Sequence, residues 1–338
     1  MKRTLSLRLA TSVLFSFLAT AFAAAQPESV RDLRDSVAPA LVRIETSGGL
    51  EMVEGVPAIQ ISTGVFLTHD GFLVASQAAF AHSPDAILVT TFDGTRLLAR
   101  YVAVDEARNL ALLKVEPPEG KTFQTLPIAP KEKSRPGSTV LAFGRVLHPQ
   151  NLSVTSGIVS AVRRIHSLAI QTDAFVSPDN YGGPLVNLDA EALAIITPLS
   201  PVAHGALAGS EIYDSGVGFA IPIQDIYAQL DEWKTRSFRR APALGIVFDN
   251  PNPALAGTKI FRVQEKSLAE QSGLRTQDRI LSANGVALSR GEDLQAVLAR
   301  AHEGDRLELS VQRGKETLQI QILLQKPDVP SEPKVEER

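Results

Sequence analysis

The residues best placed to do chemistry lie in the stretch 171–187, where a tyrosine precedes two consecutive glycines. Asp179, Asn180 and Tyr181 stand directly before Gly182 and Gly183. The central nucleophilic side chain is the Tyr181 phenol. A phenol has an ordinary pKa of about 10, so without an adjacent base it is a poor nucleophile at neutral pH. The chemistry of this loop therefore depends on whether a base elsewhere in the chain reaches it.

The rest of the composition excludes several kinds of site. The chain has 338 residues, no cysteine and six histidines. Without cysteine there are no disulfides, no thiol catalysis and no cysteine-bound metal. No His, Asp and Glu residues stand at a spacing typical of metal ligands, so we predict neither a metal nor another cofactor. Most histidines fit ordinary surface or loop positions: His69, His82, His148, His166 and His204.

The stretch around Tyr181 resembles the nucleophile loop of the HtrA/DegP family of trypsin-like serine proteases. In that family the loop reads approximately Thr-Asp-Ala, a spacer, then Gly-Asn-Ser-Gly-Gly-Pro-Leu-Val-Asn. Residues 172–174 and 182–187 match this pattern. Tyr181 occupies the serine position, and Asp179 occupies the position of the glycine two residues before it. The resemblance implies a trypsin-like scaffold that lacks the reacting hydroxyl.

The other two positions of the catalytic triad are also changed. The histidine motif of the family aligns with residues 71–79, which places Ala78 in the histidine position. The aspartate motif aligns with residues 109–114, which places Asn109 in the aspartate position. A serine protease needs an imidazole to take the serine proton and a carboxylate to orient that imidazole. Alanine accepts no proton and asparagine is neutral, so the resemblance implies that general-base catalysis is lost.

Asp179 is a fourth change, because the glycine of the family helps to form the oxyanion hole. A carboxylate there would repel developing negative charge, and a residue other than glycine is less free to adopt the backbone of the hole. A triad rebuilt from His82 and Ser177 is disfavoured, because a displacement of several ångströms defeats near-attack geometry. Tyr181 either plugs the cleft or contacts a specific ligand. We favour the plug, since buried aromatic side chains most often serve packing.

Residues 1–25 are typical of a secretory signal peptide. The basic residues Lys2, Arg3 and Arg8 precede an apolar run, and small residues end at Ala25. We therefore predict a periplasmic or secreted protein. The alternative is an uncleaved membrane anchor, but the apolar run is short for a span of about 20 residues. The net charge of −3 indicates no nucleic-acid partner, which would favour a strongly basic chain.

Many short apolar runs separated by turn residues predict a mostly β fold for residues 26–236. Asp-Gly turns at 70–71 and 93–94 each lie between two such runs, which is a strong hairpin signal. With the resemblance, this pattern predicts a chymotrypsin/trypsin-like double β-barrel. Helical spacing of apolar residues over 223–233 predicts one helix that closes the domain, and residues 237–242 read as a linker.

Residues 243–326 resemble a PDZ domain of the HtrA type, a β-sandwich-like barrel with two helices, and a disordered tail follows at 327–338. Capping boxes at 267–270 and 289–292 predict the helix starts. A PDZ domain adds a peptide C-terminus as a strand and holds its carboxylate with backbone N–H groups. The peptide-binding residues that the resemblance implies are Leu244, Gly245, Ile246, Leu294 and Leu298. The alternative for the apolar members of this set is a role in the domain core.

The leading interpretation is an exported HtrA-like pseudoprotease that binds peptide C-termini or unfolded polypeptides through its PDZ domain. Its role would be scaffolding, regulatory or chaperone-like, in envelope protein quality control. One alternative is an active HtrA-type serine endopeptidase with a rearranged site. Another is a purely structural subunit with a vestigial groove. The resemblance also implies an active HtrA-type relative as a partner and a homo- or hetero-oligomer, since trimers are common in the family.

Overall fold

The computed structural model describes residues 30–53, 56–80, 83–148, 151–200, 215–250 and 252–325. The predicted signal peptide, the predicted tail at 327–338, His82 and His204 lie outside the described residues. Within the described part, no helix combines the length and the apolar character that a membrane crossing requires.

The first domain begins with a closed six-stranded antiparallel barrel in the order β1-β2-β3-β6-β5-β4. Its strands are β1 (Leu41–Val53), β2 (Val56–Phe66), β3 (Phe72–Ser76), β4 (Ala86–Thr90), β5 (Arg96–Asp105) and β6 (Leu110–Val115). Helix α1 (Val30–Val37) precedes the barrel and buries Leu33 and Val37. The predicted hairpin is confirmed, because Phe66 of β2 pairs with Leu73 of β3.

A second closed antiparallel barrel follows, in the order β10-β11-β12-β9-β8-β7. Its strands are β7 (Thr139–His148), β8 (Asn151–Arg163), β9 (Ala169–Thr172), β10 (Pro184–Val186), β11 (Ala192–Ile196) and β12 (Gly218–Pro222). The one-turn segment α2 (Arg164–Ser167) joins β8 to β9 and has left-handed backbone at Ile165 and His166. The prediction of a double β-barrel is confirmed.

Arg145 ties the second barrel to the first. It lies in β7 and is only 1% exposed. Its guanidinium donates to the carbonyl oxygen of Leu41 and, at 3.0 Å, to that of Thr91. Burial lowers the pKa of Arg145 to about 10, which leaves it charged at neutral pH. A buried charge of this kind needs partners, so these carbonyl groups fix the two barrels against each other.

Two short helices close the first domain where the sequence predicts one. They are α3 (Ile223–Tyr227) and α4 (Leu230–Trp233). The Gln229 N–H donates to the Ile226 carbonyl at 3.2 Å, which tightens the last turn of α3 and interrupts the helix. The apolar residues still face the core, so the predicted helical spacing is right. The prediction of one continuous helix is wrong.

The second domain contains two sheets and two helices. The sheets are β13 (Ile246–Phe248) with β14 (Ile260–Val263), and β15 (Arg279–Ala283), β16 (Val286–Ala287), β17 (Arg306–Arg313) and β18 (Glu316–Leu323) in the order β16-β15-β17-β18. The helices are α5 (Leu268–Gln271) and α6 (Gly291–Leu298). Alternate residues of β17 are buried, as the sequence pattern predicts.

One of the two predicted helix starts is displaced by one residue. Helix α5 begins as predicted, because the Ser267 hydroxyl accepts the Glu270 N–H at 3.2 Å. The capping box predicted at 289–292 is wrong, since Arg290 is the N-cap residue of α6. The Asp293 carboxylate accepts the N–H groups of Ser289 and Arg290, each at 2.9 Å. A carboxylate at this third helical position reaches back to both groups, which the one at 292 does not do.

The predicted linker at 237–242 is packed between the two domains. The Phe238 N–H donates to the Val104 carbonyl at 2.7 Å, and the Phe238 ring is buried. On the other side, the Glu303 N–H of the second domain donates to the Arg239 carbonyl at 2.9 Å. The segment therefore joins β5 of the first barrel to the second domain as a bonded strip.

His302 is buried at this junction. Its ring stacks on Phe238 at a centroid distance of 4.3 Å, and Phe238 stacks on Trp233 at 6.5 Å. The Nε2 atom of His302 is buried without a hydrogen-bond partner. Burial lowers the pKa of His302, and the charges of Arg108 and Arg236 act in the same direction, whereas those of Asp105 and Asp305 oppose it.

We predict that the protein loses stability as the pH falls below about 6.5, the ordinary pKa of histidine. The lowered pKa of His302 means that the unfolded chain binds the proton first, so the free energy of unfolding decreases with falling pH. Urea denaturation at a series of pH values measures this effect. Fluorescence of Trp233, the only tryptophan, reports on the stack.

The variant His302→Phe keeps a ring on Phe238 and removes the titrating group, so its stability should depend less on pH. His166→Gln removes a second histidine whose pKa burial lowers, so it measures the share of the pH dependence that does not come from His302. A pH dependence that is unchanged in His302→Phe would contradict the prediction.

Candidate functional site

The loop that carries Tyr181 lies against the first barrel with no room for a side chain at the next residue. Gly182 has left-handed backbone, with φ at +86°. A Cβ on Gly182 would stand 2.0 Å from the carbonyl oxygen of Thr63 and 2.9 Å from the nitrogen of Ser76, so only glycine fits. The Thr63 N–H donates to the Tyr181 carbonyl at 3.3 Å. These contacts hold the loop at the interface of the two barrels.

Ala78 follows β3 in a 3-10 helix, Gln77–Phe80. Its N–H faces the hydroxyl of the buried Ser76 at 3.3 Å. The Gln77 N–H donates to the carbonyl of Asn109 at 2.9 Å, so the predicted histidine and aspartate positions adjoin each other. Because Gly182 also approaches the nitrogen of Ser76, the loop that carries Tyr181 lies at the same end of β3 as these two positions. The methyl group of Ala78 cannot exchange a proton.

Asn109 is buried and has φ at +55°, a left-handed conformation that asparagine adopts more readily than most residues. Its Nδ2 donates to the Pro198 carbonyl at 2.8 Å. Its own carbonyl accepts the Thr197 hydroxyl at 2.9 Å. The amide thus joins β6 to the segment after β11 and supplies no negative charge.

The Tyr181 side chain and backbone N–H are both engaged within the second barrel. The preceding residues form a 3-10 helix, Pro178–Asn180. The Tyr181 N–H donates to the Pro178 carbonyl at 3.3 Å, so it is not directed at a bound oxyanion. The ring is half-buried and packs, with Val176, against the hydrophobic core of the second barrel.

Asp179 holds the same loop against β7 and β8 through hydrogen bonds. Its carboxylate accepts the Val146 N–H at 2.9 Å and the Ser153 hydroxyl. Its carbonyl accepts the Thr63 hydroxyl at 2.8 Å. Sequence reasoning places a repelling carboxylate near the oxyanion, whereas the structure turns this carboxylate towards β7 and β8. Asp179 therefore acts by holding the backbone conformation of the loop.

The described histidines with described side chains lie elsewhere. His69 precedes β3 and its Nδ1 lies 2.7 Å from the Phe123 carbonyl oxygen. The five-residue strand β3 separates it from Ala78 by roughly 16 Å along the chain. His302 belongs to the second domain, and His166 lies in α2. Among the residues that the structure describes, no three His, Asp or Glu side chains form a group that could hold a metal ion.

In the second domain, strand β13 has a free edge. Among the described strands it pairs only with β14. The Gln264 N–H donates to the Gly245 carbonyl at 2.8 Å. Because hydrogen bonding alternates along an antiparallel strand, the N–H and C=O groups of Ile246 and Phe248 point away from β14. Such an edge can accept an added peptide strand.

The loop before β13 has a fixed shape. Gly245 has φ at +79°, and a Cβ there would stand 2.3 Å from the Cβ of Ser267. The Leu244 carbonyl accepts the Ala269 N–H at 2.9 Å, which anchors the loop to α5. The position therefore requires glycine, and the loop before β13 is held in place.

The apolar residues predicted to line the groove divide into two pairs. Leu244 and Leu294 are 3% and 2% exposed and belong to the core of the second domain. Ile246 and Leu298 are only partly buried and pack at the edge of that core. The first pair is therefore buried in the core, and the second pair is partly exposed.

A cavity of about 390 Å³ lies between the two domains. Its lining includes Asn109, His166, Arg240, Ala243 and Leu298. Burial lowers the pKa of both His166 and Arg240. Sequence reasoning missed this cavity, because its walls come from distant parts of the chain. The only feature of the sequence that points to this cavity is the run of basic residues in the linker.

Two closed antiparallel barrels with a site between them define the trypsin-like peptidase fold, and the free edge beside α6 is that of a PDZ domain. Residues 62–195 match the trypsin-like peptidase domain family, and residues 242–324 match the PDZ domain family. The class of protein is therefore a trypsin-like peptidase scaffold joined to a PDZ domain.

Known relatives share this arrangement. A probable periplasmic serine endoprotease DegP-like of Marinomonas sp. is 29% identical over 289 residues, which cover 81% of this chain and 58% of that protein. Serine protease HTRA1 of Xenopus tropicalis is 30% identical over 323 residues, which cover 87% of this chain and 66% of that protein. The chain spans less than two thirds of the length of its DegP-like relatives.

Solved structures show the same fold. The serine endoprotease from Yersinia pestis superimposes with a TM-score of 0.65 at 24% identity, covering 88% of this chain and 98% of that chain. The HtrA-type protease AlgW with a tripeptide gives a TM-score of 0.67 at 23% identity, covering 88% and 97%. The chain belongs to the HtrA-like family of trypsin-like peptidases with a PDZ domain.

We predict that Tyr181→Ala lowers the free energy of unfolding by about 1–3 kcal/mol, because it removes a half-buried ring from the core of the second barrel. Phe175→Ala is the matched control in the same loop. Phe175 is 55% exposed, and its truncation should change stability by less than about 0.5 kcal/mol. Urea denaturation followed by Trp233 fluorescence measures both values. Equal effects of the two substitutions would show that the Tyr181 ring is not a packing element.

Proposed function

We propose that this protein is an exported HtrA-like pseudoprotease that binds peptide C-termini or unfolded polypeptide segments through its PDZ domain. The proposal rests on which residues occupy the three adjoining triad positions. Ala78, Asn109 and Tyr181 supply no general base, no orienting carboxylate and no activated nucleophile. Removal of a catalytic triad costs roughly 10⁶-fold in rate.

The backbone around Tyr181 supports the same conclusion. Its N–H is bonded to the Pro178 carbonyl, and the loop is held in that form by the Asp179 carboxylate. Stabilisation of an oxyanion requires preorganised N–H donors aimed at the developing charge. The residual catalysis that an oxyanion hole provides without a triad is therefore also lost in this conformation.

The second domain supports a binding role. Its strand β13 has a free edge, and the loop 243–246 precedes that edge in the fixed conformation described above. One relative, AlgW, was solved with a tripeptide and with a decapeptide. We extend peptide binding to this chain on the strength of its own strand edge and loop.

The location and the partners follow from the same set of observations. The apolar N-terminal stretch and the periplasmic DegP-like relatives support export to the periplasm. A binding domain joined to an inactive protease scaffold suits scaffolding, regulation of an active HtrA-type relative, or chaperone-like holding in envelope protein quality control. A homo- or hetero-oligomer, such as a trimer, would present several grooves at once and raise the avidity for unfolded chains.

We expect the purified protein neither to cleave casein nor to be labelled by a fluorophosphonate probe, since no imidazole activates a nucleophile. Tyr181→Ser alone should remain inactive, because Ala78 and Asn109 still lack a base and a carboxylate. Gel analysis of casein and of the labelled protein measures both results. The triple variant Ala78→His, Asn109→Asp, Tyr181→Ser tests whether the scaffold can still position a triad.

An active HtrA-type protease in the same assay is the positive control. Cleavage or labelling by the natural protein that one point mutation abolishes would establish the alternative, an active endopeptidase with a rearranged site.

We expect the full chain to bind short fluorescent peptides that end in a free carboxylate after valine, and to lose that binding when the terminus is amidated. Leu298→Ala should weaken binding by about fivefold to thirtyfold, because it removes about 1–2 kcal/mol of apolar contact in the groove. Fluorescence anisotropy measures the dissociation constants.

Val286→Ala is the control for this substitution. Val286 is 53% exposed on β16 of the same domain, so its truncation should leave peptide affinity unchanged. Equal affinity for free and amidated peptides, or no binding of either, would overturn the proposed binding role.

A further inference from the structure

The groove between β13 and α6 is narrowed at one end by an aromatic ring. Phe248 is the last residue of β13, and Gly291 is the first residue of α6. A Cβ on Gly291 would stand 2.9 Å from Cδ2 and 3.2 Å from Cε2 of Phe248. The ring therefore occupies the space that a side chain at position 291 would need, and it spans the gap from strand to helix.

The start of α6 is held in place against this ring. The Glu292 N–H donates to the Pro253 carbonyl, and the Gly257 N–H donates to the Ser289 carbonyl, each at 2.9 Å. The Asp293 carboxylate caps the same turn. The helix start is therefore bonded on two sides and resists a shift away from Phe248.

The opposite end of the groove lies beside the loop that precedes β13. Leu298, the last residue of α6, lines the interdomain cavity together with Ala243. Helix α6 therefore runs antiparallel to β13, with Leu298 near the start of the strand and Gly291 near its end. The open end of the groove is the end at which a terminal carboxylate would meet the N–H groups of residues 244–246.

The register of a bound peptide follows from this arrangement. With its carboxylate at the loop, a peptide runs back along the free edge of β13, antiparallel to it. Side chains two residues apart share one face of a strand. The last side chain then lies beside Ile246 and Leu298, and the third side chain from the end lies beside Phe248.

We propose that Phe248 is a specificity-determining residue, which restricts the groove to C-termini with an apolar last residue and a glycine or alanine in the third position from the end. The inference rests on the proposed function and names the ligand class of that groove. A larger third side chain would have to displace a ring that is wedged between strand and helix. Packed cores resist such insertion, and a built-in clash is an effective means of discrimination.

Fluorescein-labelled peptides Ser-Ser-Ser-X-Ser-Val, with a free C-terminus and X as Gly, Ala, Leu or Phe, test the proposal by anisotropy on the full chain. The natural protein should bind the Gly and Ala peptides at least about tenfold more tightly than the Leu and Phe peptides. Phe248→Ala should bind the Leu peptide as tightly as the Ala peptide. Phe248→Leu is a second variant with a smaller change in packing, and it should show an intermediate ratio.

Val247→Ala is the matched control, because Val247 neighbours Phe248 but projects from the other face of β13. It should keep the discrimination of the natural protein. Equal binding of all four peptides by the natural protein, or unchanged discrimination in both Phe248 variants, would overturn the proposal. Failure of every free-terminus peptide to bind better than its amidated form would instead overturn the proposed function itself.

Discussion

The structure of the candidate site depends on one constraint, the close backbone approach of the Tyr181 loop to one strand of each barrel. A Cβ at Gly182 would stand 2.0 Å from the Thr63 carbonyl oxygen, and one at Gly183 would stand 2.1 Å from that of Phe143. Both contacts join main-chain atoms, so they do not depend on which side chain precedes them. The loop therefore stays between the barrels whichever side chain stands at position 181, and Arg145 holds the same interface from within β7.

Because these contacts involve main-chain atoms, the trypsin-like scaffold does not depend on the side chains at the predicted triad positions. The carbonyl of Asn109 accepts the Gln77 N–H whatever its own side chain carries. Where the changed side chains do make contacts, those contacts are structural. The Asn109 amide bonds to the Pro198 carbonyl, the Tyr181 ring packs on the second barrel, and the Asp179 carboxylate holds the loop to β7 and β8. These three side chains therefore support the fold.

The segment 237–242 connects the two domains and is hydrogen-bonded to both. This strip bonds to β5 on one side and to the turn near His302 on the other, and it ends at the loop that begins the peptide groove. The interdomain cavity borders both Asn109 and Leu298. Asn109 and the last residue of α6 are therefore neighbours in space.

The amino-acid sequence by itself determined the double barrel and the PDZ domain, whereas the altered triad positions stay a prediction. Turn residues, alternating apolar positions and short motifs are local features, and a single chain displays them directly. Tertiary structure alone decided where the altered side chains point. The carboxylate of Asp179 points towards β7 and β8. Leu244 and Leu294 are buried in the core, whereas Ile246 and Leu298 are partly exposed. The Phe248 ring lies against Gly291. These outcomes depend on distances between residues far apart in the chain, which neither periodicity nor spacing encodes.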